Sequence, residues 1–299
     1  MKKIFSILCG LVLCVSSLFC FSACDNSAKQ TNIVASNFAT YDFAKAISEE
    51  HLTVSTLLKP GTESHHYEPS VSDINRVVNC DIFIYIGGEN EQWIETILEN
   101  IDPNKTTVVK MFDFVEPIAE IGHDEYDEHI WTSPKNAVKM VNAIKNAIIN
   151  FDTKNQTSYE QNANDYIAEL NQIDVELNSI VEQQNKPLMI ADRNPYRYLL
   201  TDYSFEYTAL INNCSGEVEP SLSDLALFIQ KVTNESVNIV FTVELSTQNY
   251  AKRVKEECEN VEIKTLHSCH NVSLTETESG ATYVSIMKNN VTNLREALV

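Results

Sequence analysis

The amino-acid sequence predicts an α/β protein of two βα lobes, each with a parallel four-stranded sheet, joined by one long backbone helix. Three observations lead there. Short β-branched and apolar runs alternate with helix-length stretches, the rhythm of parallel βα units. That rhythm occurs twice along the chain. Between the two series lies an unbroken helical pattern from about Asn155 to Gln184.

The chain opens with Lys2 and Lys3, followed by an uncharged apolar run from Ile4 to Ala23, the form of an export signal. The run ends in Phe21-Ser22-Ala23-Cys24, which resembles the bacterial lipobox, small residues before a cysteine that is acylated and becomes the mature N-terminus. Residues 1–23 are therefore expected to leave as a lipoprotein signal peptide, with Cys24 as the lipid anchor and residues 24–31 as a polar, lipidated tether. An uncleaved spanning helix is the alternative, since about 20 apolar residues cross a bilayer. The expected location is the extracytoplasmic face of the cell membrane.

The N-terminal lobe is expected over residues 32–152, with strands at Ile33–Ala35, Val54–Leu58, Ile82–Ile86 and Thr107–Lys110. Ser133-Pro134 opens an amphipathic helix that Phe151-Asp152 ends. The linker helix, residues 153–185, carries apolar residues at Tyr159, Ala163, Tyr166, Ile167, Leu170, Ile173, Leu177, Ile180 and Val181, with no Gly or Pro between them. At 1.5 Å per residue such a helix reaches about 45 Å, long enough to tie two lobes together. The C-terminal lobe, residues 186–299, repeats the pattern with Leu188–Ala191, Tyr207–Ile211, Ile239–Val243 and Ile263–Leu266. No internal repeat is visible in the sequence itself, only the βα rhythm.

Composition removes several function classes. The 299 residues carry 42 acidic against 22 basic side chains, a net charge of −20, so nucleic acid is not an expected partner. Seven glycines occur, and none are spaced as G-x-G-x-x-G or G-x-x-x-x-G-K, which argues against a nucleotide cradle. Of eight cysteines, Cys9, Cys14 and Cys20 leave with the signal and Cys24 takes lipid. Cys80, Cys214, Cys258 and Cys269 remain, without C-x-x-C spacing; Cys80 reads as a core residue, and pairing among the others is open.

All seven histidines follow the signal: His51, His65, His66, His123, His129, His267 and His270. His65 lies in the loop Pro60 to Ser70 after the second strand, His129 between an acidic stretch and a helix start, and His267 directly after the last strand. Loops at the carboxyl ends of parallel strands converge on a crevice, so three histidines from separate loops are placed to meet there. Neutral imidazoles are common zinc donors, and a closed site takes four.

The strings ESHHYEPS (Glu63 to Ser70) and DEHIWTSP (Asp127 to Pro134) resemble the two N-lobe metal motifs of the zinc and manganese solute-binding proteins of ABC importers, a metal-receptor family often called cluster nine. The closing segment Tyr283-Val284-Ser285-Ile286-Met287-Lys288 resembles that family's last helix. The resemblance covers the whole mature chain. It implies metal ligation by His65 and His129, and it aligns His267 with the fourth ligand of the family. The third ligand, a His or Glu, falls on Arg193, and a guanidinium cannot coordinate a metal. Asp192, Glu244, Glu217, Glu219 or a water are the candidates to take its place, with Arg193 pairing to one of the acids as the alternative. His66 and His270 stand in reserve beside the chosen positions, and His51 reads as a surface residue. The stretch His123 to Glu128 is similar to a shortened form of the family's His- and acid-rich loop.

What the resemblance implies is a binding protein, not an enzyme: a lipid-anchored monomer that captures Zn(II), or Mn(II) as the alternative cargo, and delivers it to an ABC permease with its cytoplasmic ATPase. Three imidazoles favour zinc over manganese, whose sites take more carboxylate oxygen. The competing readings are an exported zinc hydrolase, for which H-E-x-x-H and G-x-S-x-G are missing, and a receptor for an organic solute.

Overall fold

The computed structural model describes residues 32–62, 67–88, 91, 93–120, 126–212, 214 and 219–299. The expected signal peptide, Cys24 and the tether lie outside the described residues, as do His65, His66 and His123. Among the described residues no helix is long and apolar enough to cross a membrane.

Two four-stranded parallel sheets are present, as the sequence predicts. The first holds β1 (Ile33–Ala35), β2 (Val54–Thr56), β3 (Ile82–Tyr85) and β4 (Thr107–Lys110) in the order β2-β1-β3-β4. The second holds β5 (Leu188–Ile190), β6 (Tyr207–Ala209), β7 (Ile239–Thr242) and β8 (Glu262–Thr265) in the order β6-β5-β7-β8. The topology is therefore duplicated although the sequence is not. The two central strands of each sheet are buried along their whole length. That burial on both faces is why they read as unbroken apolar runs, IVA, IFIY, LMI and IVFT.

Helix starts follow their caps. The Asn37 side chain accepts from Thr40 N at the head of α1 (Phe38–Ser48), and Ser70 forms a capping box with Asp73 on α2 (Val71–Val78). After the short α3 (Trp93–Leu98), Ser133 caps α4 (Pro134–Phe151) with Pro134 in its first turn. The long helix is α5 (Gln156–Gln183), 28 residues, reaching about 42 Å. Its buried stripe of Tyr159, Ala163, Leu170, Ile173, Leu177 and Ile180 joins one continuous core that includes β1, β3, β5 and β7.

Polar contacts pin α5 at both ends. Toward the first sheet, Tyr166 donates to Asp42 at 2.8 Å and Asn162 to the Ile47 carbonyl at 3.0 Å. Toward the second, Asp174 accepts from Tyr203 at 2.6 Å, on α6 (Arg197–Tyr203), and Glu176 pairs with Arg295 at 3.1 Å, on the last helix. The second sheet is flanked by α7 (Leu222–Asn234) and α8 (Asn249–Glu257), after which the chain ends in α9 (Leu274–Glu278) and α10 (Tyr283–Leu298).

In each sheet the strand order reverses beside the first strand, so the ends of β1 and β3, and of β5 and β7, open crevices of the kind that take ligands. The loop after β8, residues 266–273, docks on the first lobe. Trp131 Nε1 donates to the Ser268 carbonyl at 2.8 Å, Phe38 N to the His270 carbonyl at 3.3 Å, and Asn271 to the carbonyls of Lys59 at 2.7 Å and Thr62 at 2.8 Å. Tyr198 closes the other side, accepting from Ile118 N at 3.0 Å and donating to the Asp127 carbonyl at 2.9 Å.

Candidate metal centre

His129 is set by its own segment. Residues 130–132 form a single helical turn ahead of α4, and one Asp127 oxygen accepts both the His129 backbone N–H at 2.8 Å and ring Nδ1 at 3.0 Å. Gly88 makes room for this segment: a Cβ there would lie 2.4 Å from Glu128 Cβ, so only glycine at the end of β3 lets the strand end approach it. His129 is 3% exposed and Asp127 is buried with it. With Nδ1 protonated toward Asp127, Nε2 is the nitrogen with a lone pair for coordination. Burial works against charging this ring, but the Cys214 sulfur and the Asp127 carboxylate outweigh it and hold the pKa well above the usual histidine range.

The ring that meets His129 belongs to His270. Their centroids are 5.5 Å apart at an interplanar angle of 81°, and Trp131 packs on His270 at 5.0 Å. His270 is held from behind by Glu244, whose carboxylate accepts from Ser268 N at 2.8 Å, Ser268 Oγ at 2.5 Å and His270 N at 3.3 Å. His270 also borders a small cavity of about 30 Å³ with Cys214, Arg193 and Thr62.

His267 goes elsewhere. Its backbone N–H donates to Asn290 at 2.9 Å on α10, its Nδ1 accepts from Cys269 N at 2.9 Å, and its Nε2 lies 3.4 Å from a Glu276 oxygen. It borders a separate cavity of about 360 Å³ with Glu276, Ser246 and Asn289, and Glu244 stands between the two cavities, bordering both. Nδ1 of His267 is thus engaged by its own lobe, while its buried Nε2 faces the Glu276 carboxylate without forming a hydrogen bond. His51 is exposed and packs edge-on against Tyr159 at 5.6 Å, consistent with a surface role.

The acids considered in place of a third ligand are occupied or remote. Asp192 accepts from Arg193 N at 2.9 Å and from the Ser246 hydroxyl, Glu244 holds the 268–270 turn, Glu219 is exposed, and Glu217 lies outside the described residues. The Arg193 guanidinium reaches the Cys214 carbonyl at 3.5 Å. Cys80, Cys214, Cys258 and Cys269 are all buried thiols rather than disulfides.

Two residues beside His129 were not among the primary sequence candidates. His270 is three positions beyond His267 in the same loop, and spacing alone does not separate them. Cys214 follows β6, and no sequence signal marks it; the sheet order, with β6 flanking β5, the strand that leads into Arg193, is what brings it near. Among the described residues no group of three or more His, Cys, Asp or Glu side chains is close enough to hold a metal ion by itself. The described donors therefore do not by themselves make a metal site.

Comparison with known proteins agrees with this architecture. The zinc-binding lipoprotein AdcA of Streptococcus pneumoniae is 28% identical over 99% of this chain, which spans 61% of that protein's length. The high-affinity zinc uptake system protein ZnuA of Bacillus subtilis is 25% identical over 97% of both chains. In three dimensions the Zn(II)-bound ZnuA-like domain of S. pneumoniae AdcA superposes with a TM-score of 0.76 at 26% identity, covering 90% of this chain and 99% of that domain. Each of these relatives is named for binding or uptake, not for catalysis. Residues 33–297 match the family described as zinc-uptake complex component A, periplasmic, and the chain belongs to that family.

Proposed function

We propose that this chain is the extracytoplasmic receptor of a zinc uptake system, holding Zn(II) between its lobes and presenting it to an ABC permease driven by a cytoplasmic ATPase. The observation that carries the reading is the pair His129 and His270, face to edge at 5.5 Å, with Asp127 on the far nitrogen of His129. A carboxylate behind a histidine fixes its tautomer and raises its basicity toward a metal. The adjoining cavity of about 30 Å³ suits an ion rather than an organic solute. Imidazole donors favour Zn(II) over Mn(II).

His65 is the third imidazole of this proposal. Support comes from its neighbours, since Thr62 and Tyr67, on either side of the segment that holds it, each border a cavity that His270 also borders. In this proposal His270, whose ring meets that of His129, takes the role that the sequence reading gave to His267, whose ring faces Glu276. The proposal extends to the parts outside the described residues: a signal peptide over 1–23, acylation at Cys24 and a tether over 24–31, followed by lobes over 32–152 and 186–299 about the 153–185 helix, in a monomer.

Zinc affinity measured by competition with a chelating dye tests the reading. His129→Ala and His270→Ala are each expected to weaken binding by about tenfold or more, at least the loss seen when a residue behind a ligand is removed. His267→Ala is expected to bind within about threefold of the parent. Parent-like affinity in both of the first two variants overturns the assignment.

A further inference from the structure

We propose that the two lobes carry a matched pair of docking knobs, Glu68 with Val71 and Glu219 with Leu222, which seat the chain on a two-fold symmetric, basic and apolar-lined face of its permease. The inference rests on the zinc-receptor reading above. The chain as a whole is not a sequence repeat, but one string is: Glu68 to Ile74 reads EPSVSDI and Glu219 to Leu225 reads EPSLSDL. The two copies stand at equivalent places, leading from the edge strands β2 and β6 into α2 and α7.

Helix formation accounts for part of the string. Ser70 with Asp73, and Ser221 with Asp224, close capping boxes, so these polar groups are spent within the chain. Ile74 and Val77 turn toward the core of their lobe, as Leu225 and Phe228 do in theirs. Folding does not account for Val71 and Leu222. They are 75% and 88% exposed at the first helical position, where no packing requires an apolar side chain. One exposed apolar residue is ordinary, but here the exposure recurs at matched places in both lobes, each time three residues after an exposed glutamate.

Both knobs stand close to the candidate site. Glu68 directly follows Tyr67, which borders a cavity with His270, and Glu219 lies five residues beyond Cys214, within about 18 Å of extended chain. Two equivalent knobs on one chain match two equivalent sockets, which a two-fold symmetric membrane protein supplies. Neither string contains Lys or Arg, and the chain carries a net charge of −20, so complementarity calls for basic residues around each apolar socket. Leu274 is also exposed at a helix start, but it lacks the Glu-Pro pair and its string, SLTE, occurs once, so it falls outside the proposed surface.

Binding of the purified full chain to the zinc permease–ATPase complex of the same cell, held in lipid nanodiscs, tests the proposal by biolayer interferometry and by stimulated ATP hydrolysis. Val71→Asp and Leu222→Asp are each expected to weaken docking by about tenfold or more, and the double variant by the product of the two, since distant sites act independently. Val71→Leu, Leu222→Val and Leu274→Asp are expected to dock like the parent. Aspartate suits a helix start, so the variants keep the fold, and their zinc affinity is expected to stay within about threefold of the parent. Parent-like docking by both Val71→Asp and Leu222→Asp, or a loss confined to one of them, overturns this inference while leaving the receptor reading intact. A matching loss of binding to empty nanodiscs overturns it in favour of lipid as the occupant. Self-association in sedimentation that Leu222→Asp abolishes overturns it in favour of a second copy of the chain. A parent that binds no zinc overturns the receptor reading and this inference with it.

Discussion

Asp127 is the sharpest place to perturb the candidate site without touching a proposed ligand. One of its oxygens accepts both the backbone N–H and the ring Nδ1 of His129, at 2.8 and 3.0 Å, in a buried setting. Asp127→Ala leaves two buried donors without this acceptor, at about 1–3 kcal/mol each, partly offset because a buried carboxylate is removed as well. A net destabilisation of about 2–4 kcal/mol is expected. Loss of the residue that orients a metal-binding histidine costs about 10- to 100-fold in affinity, or about 1.4–2.8 kcal/mol. Asp127→Asn keeps an acceptor oxygen and loses only the charge, so it is expected near the lower end of both ranges. The pH dependence separates charge from geometry. Asp127 helps hold a proton on His129 above the usual histidine range, and zinc must displace that proton. In the Asn variant His129 gives up its proton at lower pH, so the affinity gap from the parent is expected to narrow between about pH 8 and about pH 6. Isothermal titration with a competing chelator, beside urea unfolding, measures both quantities. A folded D127A variant that binds zinc like the parent would refute the role given to His129.

Two more perturbations probe the frame around the site. Burial pulls His267 down, but Glu244 and Glu276 outweigh it and raise its pKa; Glu276 is held down to about 2, chiefly by its contact with His267. The Glu276 contribution to stability is complete above the ordinary carboxylate range and is lost as pH falls toward about 2, whereas that of His267 is complete below about 6.5 and is lost as pH rises through its raised value. Glu276→Gln, which keeps an acceptor for the Ser273 capping box, is therefore expected to cost about 1 kcal/mol between about pH 4.5 and about pH 6.5 after allowance for solvent screening, and less above that window. A cost independent of pH in urea unfolding rules the ion pair out. Trp131→Phe removes the indole donor from the Ser268 carbonyl and loosens the turn that carries His270, so a loss of about 1–3 kcal/mol and about tenfold in zinc affinity is expected. Unchanged affinity in that variant would show that the docked turn does not position His270.

The sequence by itself determined the elements, because the forces that shape them act locally. Central strands buried on both faces must be apolar throughout, so IFIY and IVFT are visible as strands without any partner. A long helix with a continuous apolar stripe and no Gly or Pro is visible in the same way, and Ser70 and Ser133 mark helix starts through their own side chains. The DEHIWTSP string likewise marks His129, whose orienting carboxylate is only two residues away. Tertiary structure alone decided which groups meet. Strand order cannot be read from apolar runs, since any parallel order buries them, yet it is the order β6-β5-β7-β8 that puts the end of β6, and Cys214 beyond it, alongside Arg193. His267 and His270 differ by three residues in one loop and are equivalent in sequence. Cys269, with φ of 61°, turns the backbone between them, while Glu276 engages one ring and Trp131 and His129 receive the other. Glu276 lies only nine residues beyond His267, but the partners of His270, Trp131 and His129, lie far back in the chain, and no local spacing encodes that meeting.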